Sequence, residues 1–219
     1  MAANFREYLA SVVSFSGRLS NHKTSGRLGT HKKIFGSAAL GGTNADGRIQ
    51  EQGNNSTMAT ESLHDRQMIR HTVATLVYRA TKTFAKVPAG FDAFRAKSTS
   101  RTPAEIVAHM GDLFDWALSL ARGNEVWHDS PPQEWQREVD RWFAAVREFD
   151  TYLANSPTIA CPMERLFQGP IADALTHVGQ LAMLRNLFGA PIRGENYFRA
   201  DISVGRVGPD QAAPRREFD

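Results

Sequence analysis

Apolar side chains recur every three or four positions through most of the chain after residue 58, a spacing that places them on one face of an α-helix. The first such segment runs from about Glu61 to Phe84, and Pro88 and Gly90 follow it as helix-ending residues. Its inward positions are Ile69, Val73, Leu76, Ala80 and Phe84. The alternation of apolar and polar residues that is typical of β-strands does not stand out, so the pattern predicts helices.

The second segment begins with the residues Thr-Pro-Ala-Glu at positions 102–105. A threonine side chain can accept a free N–H group of the first turn, proline fits the first helical position, and glutamate can bond back to the cap. The apolar face continues to Leu120, and Gly123 ends the segment. This segment therefore predicts a well-defined second helix.

Two further helices complete the pattern. The residues Ser-Pro-Pro-Gln at positions 130–133 predict the start of a third helix with an apolar seam from Trp135 to Leu153, and residues 155–157 end it. A fourth helix is expected from near Pro170 to Leu187, after a short helical turn at residues 163–167. The predicted fold class is all-α, an up-down-type four-helix bundle with a non-helical C-terminal tail.

Charge divides the chain at Met58. The 219 residues carry a net charge of +3 and a pI near 9.2, but residues 1–57 hold seven of the 26 basic residues and only three of the 23 acidic ones. Residues 58–219 are left with 19 basic and 20 acidic residues, a net charge of −1. The basic character therefore belongs to the first segment, and nucleic acid is not the expected partner of the bundle.

Residues 1–57 are rich in Gly, Ser and Asn and poor in large apolar residues, so we expect them to lie outside the fold. Three interpretations stay open: a disordered extension, spurious upstream sequence with Met58 as the working start, or an organelle-targeting peptide. The domain is expected to span residues 58–219.

The single cysteine excludes an internal disulfide framework and a multi-cysteine zinc site. No uninterrupted apolar run approaches the roughly 18 residues that a membrane-spanning helix needs. We therefore expect a cytoplasmic protein that does not bind membranes.

Two histidines and one aspartate fall where a helix should face inward. His109 follows Ile106 by three positions on the second helix, and Asp173 precedes His177 by four on the fourth helix, which stacks those two side chains on one face. Two imidazoles and a carboxylate suit a divalent metal and leave coordination positions open. Hydrogen-bonded core histidines and a simple helix-face pair are the alternatives, and His71 is a possible substitute ligand.

The segments TPAEIVAHMGDLFDW at residues 102–116 and DALTHVGQLAMLRNLFG at residues 173–189 resemble the DinB/YfiT-like family of helical bundles. In that family the second helix carries one metal-binding histidine, and the fourth carries a His-x-x-x-His pair that runs into Gly-Gln-Leu and then Leu-Arg. His109 and His177 match two of these positions, and Asp173 stands where the family usually has the first histidine of the pair. The resemblance covers about residues 61–208.

The resemblance implies a divalent-metal-dependent enzyme, a thiol-dependent transferase or isomerase that uses a low-molecular-weight thiol. The metal would be zinc, nickel, manganese or iron, held by His109, Asp173 and His177. The alternative is a non-catalytic homodimeric helical module of a stress response, without bound metal.

Four more residues are candidates for supporting roles. Arg185 could hold an anionic substrate, and Trp116 lies close enough to His109 in sequence to line a pocket. Asp112 and Asp115 could support His109 from behind, or they could be exposed acids on the helix surface.

Overall fold

The computed structural model describes residues 51–218, with side chains from Leu63 onward. The described chain is helical and holds no β-strand, only an isolated bridge between Glu195 and Glu217, so the all-α prediction is confirmed. Its longer helices are α1 (Glu51–Phe84), α2 (Pro103–Ala121), α3 (Trp135–Asn155) and α5 (Ala172–Leu187). Between α3 and α5 lie a short helix α4 (Met163–Leu166) and a π-helical turn (Phe167–Ile171). None of the helices within residues 51–218 combines the length and apolar character that crossing a bilayer requires.

The start of α2 follows the prediction. The Thr102 hydroxyl accepts a hydrogen bond from the Glu105 N–H at 3.2 Å, and the Glu105 carboxylate accepts one from the Thr102 N–H at 2.7 Å. Two of the free N–H groups at this helix end are thereby satisfied, which is the reason the four-residue pattern marks a helix start.

The start of α3 differs from the prediction. The helix begins at Trp135, and the side chain of Glu134 caps it by accepting the Arg137 N–H at 3.3 Å. The N–H of Ser130 instead donates to the carboxylate of Asp112 at 2.8 Å. Residues 130–134 therefore form a loop that a tertiary contact ties to α2.

The beginning of α1 also differs from expectation. The helix starts at Glu51. Residues 51–57, which the sequence predicts to belong to the extension, are therefore helical. The expected boundary at Met58 falls inside α1. Adding residues to an existing helix costs far less than starting one, so α1 can continue into a segment with weak helix formers such as Gly53 and Asn54. The remainder of the predicted extension, residues 1–50, lies outside the described residues.

The four longer helices pack around one apolar core. Within the described residues, α1 packs against α3 and α5, and α2 packs against the same two helices, whereas α1 does not pack directly against α2. This differs from the simplest up-and-down order, in which each helix lies beside the next, and the long connection of residues 85–102 makes it possible. The bulkiest fully buried side chains are Trp142, Tyr78, Phe91, Phe114 and Phe149.

The segment after α5 is non-helical apart from one turn at Tyr197–Arg199, as predicted. It runs back along α1, where the buried carboxylate of Glu195 accepts hydrogen bonds from the Tyr78 hydroxyl at 2.7 Å and the Lys82 ammonium at 2.8 Å. Lys82 also contacts Glu217 at 3.0 Å. We call residues 193–218 the C-terminal strap.

Candidate metal site

Helices α2 and α5 bring His109, Asp173 and His177 together. One ligand atom from each side chain lies within 4.8 Å of the other two. The Nε2 atom of His109 is 3.5 Å from Asp173 Oδ2, and the Nε2 atom of His177 is 3.4 Å from Asp173 Oδ1. The three residues that the sequence singled out therefore form one cluster, although two helices far apart in the chain supply them.

Burial makes this cluster chemically unusual. The side chains of His109 and His177 are 9% and 3% exposed, and the Nε2 atom of each is buried without a hydrogen-bond partner. Buried polar atoms are rarely left in that condition because each loses its hydration without replacement. Asp173 is 33% exposed and forms the solvent side of the cluster. Two unsatisfied imidazole nitrogens beside a carboxylate form a donor set that fits a divalent cation.

Gln180, one turn after His177, sets the orientation of that ring. Its side-chain oxygen lies 2.8 Å from His177 Nδ1, so Nδ1 carries the proton and Nε2 presents a lone pair to the cluster. Burial lowers the pKa of His177, which also favours the neutral form. Metal-binding histidines commonly have an outer partner of this kind.

The Asp173 carboxylate remains ionised. Burial raises its pKa, but its interactions with His109, His177 and Arg101 outweigh that effect and hold the pKa below its usual value. The cluster thus combines one negative charge with two imidazoles.

A π-helical turn leads directly into the helix that carries Asp173 and His177. The turn contains Pro170, which has no N–H to give to a regular helical ladder, and α5 begins two residues later. The ring of Trp116 on α2 lies beside Gly169, where a Cβ atom would be 3.7 Å from it. Such turns often occur at functional sites, and this one joins α4 to the start of α5.

The loop between α2 and α3 closes one side of the cluster through Trp127. The Trp127 ring lies edge-to-face against the His109 imidazole and against Trp116, with ring centres 5.7 Å apart in both cases. Trp116 therefore reaches His109 through a second indole. Helical spacing carries no signal for Trp127, because its contact depends on how a loop folds back on α2.

Arg185 has a different surrounding from the one expected for a substrate-binding residue. Its guanidinium is buried and donates to the backbone carbonyls of Ala190 at 2.9 Å, Thr83 at 3.1 Å and Ala85 at 2.6 Å. These bonds join the end of α1 to the end of α5. The geometry gives Arg185 a structural role and does not support anion binding.

Asp112 and Asp115 form a separate group with His128, which we call the latch. The Nε2 atom of His128 lies 3.1 Å from Asp112 Oδ1 and 3.4 Å from Asp115 Oδ2. The Arg141 guanidinium lies 3.0 Å and 3.4 Å from the same two oxygens. Because the Arg141 guanidinium already contacts both carboxylates, we describe the latch as an ion-pair network.

His71, the possible substitute ligand, is exposed on α1 and belongs to neither cluster among the described residues. The metal-ligating set that the geometry supports is therefore His109, Asp173 and His177.

Comparison of the chain with protein-family models, with curated proteins and with solved structures finds no match. The resemblance to the DinB/YfiT-like family therefore stays a prediction that rests on the quoted residues.

Proposed function

We propose that this chain is a divalent-metal-dependent enzyme of the DinB/YfiT-like type that acts on a thiol, as a transferase or an isomerase. The observation that carries the proposal is the convergence of two buried Nε2 atoms without hydrogen-bond partners on a half-buried carboxylate. A purely structural cluster would be expected to satisfy those nitrogens within the protein.

The donor set favours a cation of the zinc, nickel, manganese or iron type. His109 and His177 each offer an imidazole nitrogen, and Asp173 adds one carboxylate charge. When bound, a divalent ion supplies Lewis acidity that makes a thiol or a water molecule more acidic. Three protein ligands leave positions open for a substrate, which distinguishes this set from a closed structural site.

The surroundings of the cluster suit chemistry on a small molecule. Trp127 packs against the His109 ring on one side, while the exposed part of Asp173 marks the side from which a thiol can approach. The burial of both imidazoles strengthens the electrostatic interactions inside the cluster.

The first experiment measures metal content. Protein purified after growth with zinc, nickel, manganese and iron should carry one metal ion per chain, and His109→Ala and His177→Ala should each abolish it. His71→Ala changes an exposed histidine of the same bundle and should leave the metal content unchanged.

Asp173→His restores the residue that the family usually has at this position. Because a carboxylate and an imidazole differ in their preference among divalent ions, this variant should keep one bound metal and change which ion is preferred. Competition titrations with zinc, nickel and manganese measure that order, and an unchanged order would remove Asp173 from the ligand set.

Absence of metal from the wild-type chain under all four growth conditions would overturn the proposal. It would favour the non-catalytic homodimeric module, which sedimentation at micromolar concentration would then test.

A further inference from the structure

The two candidate imidazole ligands are oriented in different ways. His177 is fixed by the hydrogen bond between its Nδ1 atom and Gln180. No such hydrogen bond to the ring of His109 is present within the described residues, where its near neighbours are Asp173, His177 and Trp127. Apart from the 3.5 Å contact of Nε2 with Asp173, packing therefore sets the orientation of the His109 ring.

Trp127 is the neighbour that comes from outside the two ligand-bearing helices. Its ring meets the His109 ring at an interplanar angle of 68°, and it is itself held edge-to-face by Trp116 at 89°. Edge-to-face pairs at this separation are favoured by the charge distribution of aromatic rings, so the contact has a preferred angle as well as a preferred distance.

The loop that carries Trp127 is tied to α2 on both sides of the indole. Before Trp127, the Val126 N–H donates to the Ser119 hydroxyl at 3.1 Å. After it, His128 contacts the latch carboxylates, and the Ser130 N–H donates to Asp112 at 2.8 Å. These contacts are polar and local, and they hold the loop so that the half-buried Trp127 ring packs against the apolar core.

We propose that Trp127 is a positioning residue for His109 and that the latch holds it in place. The inference rests on the proposed function, because the orientation of His109 matters most when its Nε2 atom is a ligand. If binding of the metal must first order a ligand ring, the affinity for the metal is lower. Loss of an outer-shell partner typically costs about 10–100-fold in metal affinity.

The test uses Co²⁺ as the metal probe, because its visible absorption reports coordination geometry while a chelator competition reports affinity. Trp127→Ala should weaken Co²⁺ binding by about tenfold and alter the absorption bands. Trp127→Phe keeps an aromatic edge and should retain most of the affinity. His128→Ala should produce a smaller loss in the same direction, since Ser130 and Val126 still hold the loop.

Trp135→Phe is the matched control. Trp135 lies at the other end of the same loop and packs against Phe84 and Phe91, away from the cluster. The Trp135→Phe substitution should leave both the Co²⁺ affinity and the absorption spectrum unchanged. Equal losses from Trp127→Ala and Trp135→Phe would show a general stability effect and overturn the proposal.

A measurement on the metal-free protein separates this proposal from the function on which it rests. The nuclear Overhauser contacts between the His109 ring and the His177 ring, whose centres lie 4.9 Å apart, should be lost in Trp127→Ala and kept in Trp127→Phe. If wild-type protein binds no Co²⁺, the proposed function fails, and these contacts in the metal-free protein still decide whether Trp127 positions His109. Unchanged contacts in Trp127→Ala would overturn the inference, whatever the metal result.

Discussion

The hydrogen bond with Gln180 determines which ring nitrogen of His177 carries the proton. Its side-chain oxygen can only accept a hydrogen bond, so the proton sits on Nδ1 and the lone pair on Nε2. The amide is exposed, so its contribution to the packed core is small. Its effect on metal binding can therefore be separated from its effect on stability.

Gln180→Ala should weaken metal binding by about 10–100-fold, because the His177 ring loses the partner that fixes its tautomer and angle. The unfolding temperature of the metal-free protein should change little. Chelator competition measures the affinity, and Thr176→Ala, an exposed change on the same helix, is the control. Wild-type affinity in the Gln180 variant would show that His177 is oriented by packing alone.

At this scale the sequence indicates the candidate ligands better than the residues around them. His109, Asp173 and His177 stand out because polar residues on an apolar helix face need a partner, and that signal is local. Trp127 and the proposed orienting role of Gln180 depend on distances between side chains that spacing does not determine. The surroundings of Arg185 could not be predicted, because its three carbonyl partners come from helix ends that only the folded chain brings together.

Between elements, Arg185 connects the ends of α1 and α5. Arg185→Met should lower the free energy of unfolding by about 3 kcal/mol, since it removes charged hydrogen bonds and leaves buried carbonyls without a donor. Urea denaturation of the metal-free protein measures this loss. Arg147→Met, an exposed change on α3, should stay within about 0.5 kcal/mol of wild type. A stability equal to wild type in Arg185→Met would return Arg185 to the list of substrate-binding candidates.

The contact between α1 and the C-terminal strap predicts alkaline lability. Burial and the hydrogen bond to Glu195 raise the pKa of Tyr78. The pKa of Lys82 is also raised, because its bonds to Glu195 and Glu217 outweigh the opposing effect of burial. Both groups hold their protons more tightly in the folded chain, so their contribution is complete below about pH 10 and is lost as the pH rises further.

Tyr78→Phe should therefore reduce the fall in unfolding free energy between pH 9 and 11, and it should cost about 1–3 kcal/mol at neutral pH because Glu195 loses a donor. Chemical denaturation at a series of pH values measures both effects. Tyr152→Phe, a half-buried tyrosine on α3, should keep the wild-type pH profile. An unchanged profile in Tyr78→Phe would mean that the strap does not respond to this hydroxyl.

The observed element boundaries agree with the predicted ones where the sequence signal lies within a few neighbouring residues. The cap of α2 lies within four residues and was predicted correctly. The predicted start of α3 was wrong because Glu134 caps the helix, while the N–H of Ser130 donates to Asp112 on another helix. The π-helical turn before α5 was not foreseen, since its wider ladder has no clear sequence pattern.

For the molecule as a whole, a bound ion would join α2 to α5 and stabilise the entire bundle. Any ligand that binds only the folded state raises its stability, by about 2.7 kcal/mol at a concentration 100 times the dissociation constant. Wild-type protein should therefore unfold at a higher temperature with metal than with a chelator, and His109→Ala should show no difference. Equal unfolding temperatures for the wild type in both conditions would contradict the site.

The arrangement of the helices could be predicted only in part. Amphipathic faces show that four segments share a core, but they do not show which helices are neighbours. α1 lies beside α3 and α5. This placement depends on the path of residues 85–102, and their sequence does not show towards which helix the connection turns.

The C-terminal strap has a consequence for the order of folding. It brings Glu217 into contact with Lys82 of α1, and these two residues are 135 positions apart in the chain. During synthesis α1 leaves the ribosome long before the strap does, so the ion pair of Lys82 with Glu217 can form only after the end of the chain has been made. Contacts of such long range also slow folding after release. We expect native protection of α1 against hydrogen exchange to appear only after the strap has docked.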